Sequence, residues 1–157
     1  KKIVGAVTQV ECKRVRGTAA VTTQTQALAD FSLQVTKGST WPLRVEEDQE
    51  GEEGRFWLAK IKDEPERLEG TMTFAGQAFK EGWIVAKAQY YSLLRERGPE
   101  TARERVYKLL PTDTYLSLNH IIRLESSVNM VVDSKSKSKP KPWVLKDADR
   151  ARIEAAL

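Results

Sequence analysis

The side chains best suited to recognition chemistry are four aromatics in the middle of the chain, Phe56, Trp83, Tyr90 and Tyr91. They fall at strand ends or at outward positions of the strands read below. Aromatic faces grouped around one point attract a methylated ammonium, because the ring quadrupole is negative at its face. Glu46, Glu47 and Asp48, in an acidic segment just before, are candidates for a carboxylate at the rim of such a cage. The competing reading is that the rings fill a small core, since large aromatics dominate core burial.

Catalytic chemistry has no comparable constellation. His120 is the only histidine and sits among Leu118, Ile121 and Ile122, which suits a structural role better than a nucleophilic triad. A structural zinc site takes four ligands, and the chain has one histidine and one cysteine, Cys12. Lys37-Gly38-Ser39-Thr40 lacks the glycine spacing of a phosphate-binding loop, and no G-x-G-x-x-G occurs. The sequence therefore assigns no catalytic residue, no metal ligand and no cofactor, and the expectation is a protein that is not an enzyme.

Charge is distributed unevenly. The net charge of +4 comes from 26 Lys and Arg against 22 Asp and Glu. Lys135, Lys137, Lys139 and Lys141 lie in the acid-free run 134–142, so the remaining chain is balanced. These four lysines are the candidates for phosphate contact or a nuclear address. The alternative is a flexible Lys/Ser/Pro linker.

These residues need a scaffold. Trp41, Leu43 and Val45 alternate with Pro42, Arg44 and Glu46, the period of a strand with one buried face. Pro42 has no N–H to give a ladder, so that strand belongs at an edge or begins there. Residues 56–61 and 83–91 read as two neighbouring strands of a strongly bent sheet. Trp57, Ala59 and Ile61 are assigned inward, with Phe56, Leu58 and Lys60 outward. On the second strand, Ile84, Ala86, Ala88 and Tyr90 oppose the outward set that holds Lys87 and Gln89. The long connection 62–82 is read as an insertion with a short strand at 71–74. Residues 31–35 alternate and read as a strand. Residues 92–104 read as a charged excursion with one helical turn. A strand at 106–110 is expected to stop at Pro111, followed by a turn at 112–113 and another strand at 114–118. A last strand is expected within 128–132, and residues 147–157 carry helix formers with acids in the first turn.

At 157 residues, with 40% hydrophobic residues and four tryptophans, the chain suits one folded domain with appendages. The division read here is an N-terminal extension over 1–36, a barrel over 37–133, a basic linker over 134–142 and a helical segment over 143–157. The chain opens on Lys1 rather than Met, as a piece of a longer protein would. No apolar run approaches the ~20 residues of a membrane span. A lone cysteine gives no internal disulfide framework, and the expected setting is nuclear or cytoplasmic.

Four stretches carry a family resemblance: 41–47, Phe56-Trp57-Leu58-Ala59-Lys60-Ile61, 85–91 ending in Tyr90-Tyr91, and Tyr115-Leu116-Ser117. Their order resembles an SH3-like barrel of the Tudor and BAH chromatin-reader type. The second is similar to the aromatic-x-Ala-x-aliphatic strand of Tudor-like barrels. The last is similar to the aromatic-Leu-Ser step of BAH domains. The Gly-rich turn that follows the third Tudor strand is missing, as is the Arg-Pro step after the BAH aromatics. The resemblance implies a mainly-β, SH3-like barrel with an N-terminal β extension and a C-terminal helix. It also implies a non-catalytic module that binds a peptide partner, such as a methylated histone-type tail, in a chromatin-associated or nuclear protein. SH3-like barrels also occur as DNA-binding appendages of integrases and transposases, so a nucleic-acid partner held through the basic run is an alternative. A structural domain of a larger assembly is another.

Overall fold

The computed structural model describes residues 6–7, 28–45 and 55–157. The strands among them are β1 (Ala6–Val7), β2 (Thr40–Arg44), β3 (Phe56–Ile61), β4 (Glu66–Arg67), β5 (Met72–Phe74), β6 (Gln77–Phe79), β7 (Ile84–Arg97), β8 (Glu104–Ser117), β9 (Val131–Val132) and β10 (Trp143–Leu145). Asp147–Ala155 form the C-terminal helix, α1. The fold is mainly β with antiparallel pairing throughout. A large sheet runs β2-β3-β7-β8-β10-β9, with β4 pairing to β7 beyond the end of β3; β1, β5 and β6 form a small one.

The large sheet is open and not closed into a barrel. Its β2 edge holds Pro42, as the missing N–H requires. That edge is covered by a segment in place of a closing strand. The Ile122 N–H donates to the Pro42 carbonyl at 2.9 Å, and the Val128 N–H to the Thr40 carbonyl at 2.9 Å.

Both faces of this sheet are buried, which corrects the outward assignment of Phe56 and Leu58. On one face Trp41, Leu43, Ala59, Ile61, Ile84, Ala86 and Ala88 pack with Leu28, Phe31 and Val35. On the other, Phe56, Leu58, Tyr91 and Tyr107 pack with Ile122, Val128, Leu145 and Ile153 of α1. A third cluster, with Met72, Phe79, Val85 and Tyr115, seats the β5–β6 hairpin. Each buried Val, Leu, Ile, Phe or Met side chain among these contributes roughly 1.5–3 kcal/mol of transfer free energy.

Three local expectations are also corrected. Residues 28–32 are helical, so 31–35 is not a strand. The buried positions are Leu28, Phe31 and Val35, spaced i, i+3, i+7, while Leu33 is 79% exposed. That spacing is one face of a helical turn, not alternate sides of a strand. Ser92–Arg97 extend β7 rather than leaving the sheet, and the one helical turn is the 3-10 turn Glu100–Ala102. Finally, β8 runs as one strand through Pro111. Gln89 lies opposite Asp113 and Tyr91 opposite Leu109, so two steps on β7 face four on β8. This bulge lifts Leu110, Pro111 and Thr112 out of the ladder, so the missing Pro111 N–H is not needed there. The Gln89 side-chain amide donates to the Pro111 carbonyl at 3.1 Å and holds the bulge in place.

The run 134–142 lies between β9 and β10. It is the loop of a hairpin, because β9 and β10 pair with Trp143 opposite Val132 and Val144 opposite Val131. The C-terminal helix is present as expected, with Asp147 and Asp149 in its first turn. Arg150 pairs with Asp147 and Glu154, and Arg152 with Asp149.

Candidate functional site

Trp57 of β3 and Tyr90 of β7 form an aromatic corner that lines two cavities. Their centroids are 5.9 Å apart and their planes 78° apart, an edge-to-face contact. The register explains it. Tyr90 lies opposite Ala59, and Trp57 is two residues before Ala59, on the same face. A methyl group at position 59 leaves the Tyr90 ring free to lean diagonally onto the indole. Both rings are half-buried. Burial pushes the Tyr90 phenol above its ordinary pKa, so it stays a neutral donor at physiological pH.

Two cavities share this pair in their lining. The smaller, about 190 Å³, is lined by Trp57, Tyr90, Tyr91, Ser92 and Leu110. Leu110 reaches it because the bulge at Pro111 turns that stretch of β8 out of register. None of its lining residues is charged. The larger, about 290 Å³, shares Trp57 and Tyr90 and adds Arg44, Gln77, Tyr115 and His120 to its polar lining. Cofactor and drug sites span about 300–1,000 Å³. These two volumes suit single side chains of an extended segment better than a whole cofactor.

The residues singled out from sequence do not converge. Phe56 is 1% exposed in the second core, with the Arg105 guanidinium 5.1 Å from its ring centroid. Tyr91 is 3% exposed; its hydroxyl hydrogen-bonds with Thr40 Oγ1 at 3.2 Å, and its ring meets Tyr107 edge-on. Trp83 packs with the third cluster, 6.4 Å from the His120 ring and 6.0 Å from the Lys80 ammonium. Tyr91 also borders the smaller cavity, but of the four only Tyr90 lines both. Its partner there, Trp57, was assigned to the core. The available signal was its place two residues before a small residue that faces an aromatic. Glu46, Glu47 and Asp48 lie outside the described residues. Lys135, Lys137, Lys139 and Lys141 are all exposed on the β9–β10 loop. His120 is exposed at the end of a 3-10 turn and lines the larger cavity.

Among the described residues, no group of three or more His, Cys, Asp and Glu is placed to hold a metal, and no helix is long and apolar enough to cross a membrane. Comparison of the chain with family models, curated proteins and solved structures finds no match.

Proposed function

We propose that this chain is a non-catalytic interaction module that binds a short peptide segment in the groove around Trp57 and Tyr90. We further propose that the partner is a chromatin-associated or nuclear protein, as the resemblance to Tudor and BAH readers implies. The observation that carries the reading is the partly buried Trp57–Tyr90 pair, shared by the lining of two side-chain-sized cavities. Recognition modules hold extended peptides by taking alternate side chains into adjacent pockets. Aromatics that keep one polar end wet, as Tyr and Trp do, suit such a contact.

A methylated lysine of a histone-type tail is one anchor this groove admits. The uncharged smaller cavity, bordered by Trp57, Tyr90 and Tyr91, suits it better than the larger one, where Arg44 opposes a cation. Calorimetric titration with methylated and unmodified histone-tail peptides tests the reading. At least one peptide should bind, and both Trp57→Ala and Tyr90→Ala should weaken it at least tenfold. Binding by none, or binding that both variants leave intact, overturns it.

A further inference from the structure

The β9–β10 loop carries the molecule's entire excess of positive charge on a braced support. Its base is closed by the Asp133 N–H donating to the Pro142 carbonyl at 2.9 Å. Inside the loop, the Ser136 N–H donates to the Asp133 carbonyl, the Ser138 N–H to Ser136 Oγ, and Lys141 Nζ to the Ser134 carbonyl at 2.8 Å. The acids nearby are already engaged. Asp133 is 4% exposed and meets Arg97 Nη1 at 3.1 Å and Arg95 Nη2 at 3.8 Å. Glu104 meets Arg97 and Lys146, and Glu96 meets Arg105. Among the described residues, Lys135, Lys137 and Lys139 are exposed and in no ion pair.

We propose that this loop is a second contact surface, separate from the aromatic groove, which holds the phosphate backbone of duplex nucleic acid through Lys135, Lys137 and Lys139. The composition of 134–142, only Lys, Ser and Pro, selects the partner. Single strands are held by bases stacked on aromatic rings, and the loop has no ring. A basic patch alone attaches only weakly to a membrane surface, and stable attachment adds apolar side chains or a lipid chain; the loop has none of Trp, Phe or Leu. Ammonium groups and serine hydroxyls are donors to phosphate oxygens, contacts that position a protein without reading sequence. The braced loop presents its charges with less ordering cost than a free tether.

The test is fluorescence anisotropy of a labelled duplex against salt concentration. Each phosphate contact contributes about −0.9 to the slope of log K against log salt. Three contacts predict a fall of about 40-fold in affinity between about 50 and 200 mM salt. Lys135→Gln, Lys137→Gln and Lys139→Gln should each reduce the slope by about 0.9, with equal effect on unrelated duplex sequences. Circular dichroism of each variant checks that the fold is retained. Lack of duplex binding at low salt, or a triple variant with an unchanged slope, overturns the proposal. Tighter binding to a single strand or to phosphatidylserine vesicles than to duplex also overturns it. The groove variants Trp57→Ala and Tyr90→Ala should leave the salt slope as it is, so this surface and the peptide groove stand or fall separately.

Discussion

Tyr90 and Tyr91 are consecutive on β7, and their rings lie on opposite faces of the large sheet. Tyr90 meets Trp57 in the groove, while Tyr91 is buried in the second core with its hydroxyl on Thr40. A strand sends successive side chains to opposite faces, so the two rings pack with different cores, although both border the smaller cavity. The pair thus divides between the groove and the second core.

That division predicts opposite phenotypes on the neighbouring strand. Phe56→Ala empties a fully buried site and should destabilise the fold by about 3–5 kcal/mol. Trp57→Ala, at a half-exposed position, should cost about 1–2 kcal/mol while removing one wall of both cavities. Urea denaturation of the two variants measures the difference. A larger loss for Trp57→Ala would place the indole in the core.

Much of this architecture was legible in local pattern. The alternation in 41–45, 56–61 and 84–90 locates β2, β3 and the first half of β7, and Pro42 correctly marks an edge. What was not legible depends on remote partners. Phe56 and Leu58 look outward by period, but Ile122, Val128, Leu145 and Ile153 arrive from the far end of the chain to cover them. No local window contains that information. Pro111 reads as a stop, yet a bulge lets β8 pass through it. The candidate groove is half legible for the same reason: Tyr90 stands among the aromatics the sequence singles out, while Trp57, inward by period with Ala59 and Ile61, packs against the first core and also lines both cavities.

Acid dependence follows from Glu104. Its carboxylate accepts a hydrogen bond from Lys146 Nζ at 2.9 Å, and that bond, aided by the Lys146 charge and by Arg97, holds its pKa below the ordinary 4.5. Burial opposes this without reversing it. A carboxyl lowered in the folded state contributes stability that is complete above its unfolded value and is lost as pH falls through the folded one. Glu104→Gln should therefore flatten the decline in stability below about pH 4.5 and leave its slope near neutrality unchanged. Thermal melts across that acid range measure it. An acid limb identical to that of the unsubstituted chain would show that the pair is screened to insignificance.

At the tip of the β7–β8 hairpin, Gly98 adopts φ +91°, and a Cβ there would meet the Ala102 carbonyl oxygen at 2.9 Å. Gly38 has φ +89° but open space around it. Both pay the left-handed penalty of about 1–2 kcal/mol when replaced by alanine. Only Gly98 adds a backbone clash, which the 3-10 turn Glu100–Ala102 must absorb by shifting. Gly98→Ala should thus be the more destabilising of the two by about 1 kcal/mol or more. Equal midpoints in urea would mean that the turn yields freely.

The buried Asp133 carboxylate joins the β9–β10 hairpin to the end of β7 through Arg97. Breaking a buried pair from one side leaves a charge without compensation and costs about 3–5 kcal/mol; part-exposure of Arg97 and the nearby Arg95 reduce this to about 2 kcal/mol. Arg97→Met should therefore speed hydrogen exchange across 131–145 while leaving β2 and β3 protected. Asp133→Asn keeps the shape and removes the charge, so it should cost less. Both variants keep every lysine of the loop. If the loop grips duplex phosphates as a braced surface, Arg97→Met should lower duplex affinity through loss of bracing while the salt slope stays unchanged. A lowered slope would instead identify Arg97 itself as a phosphate contact.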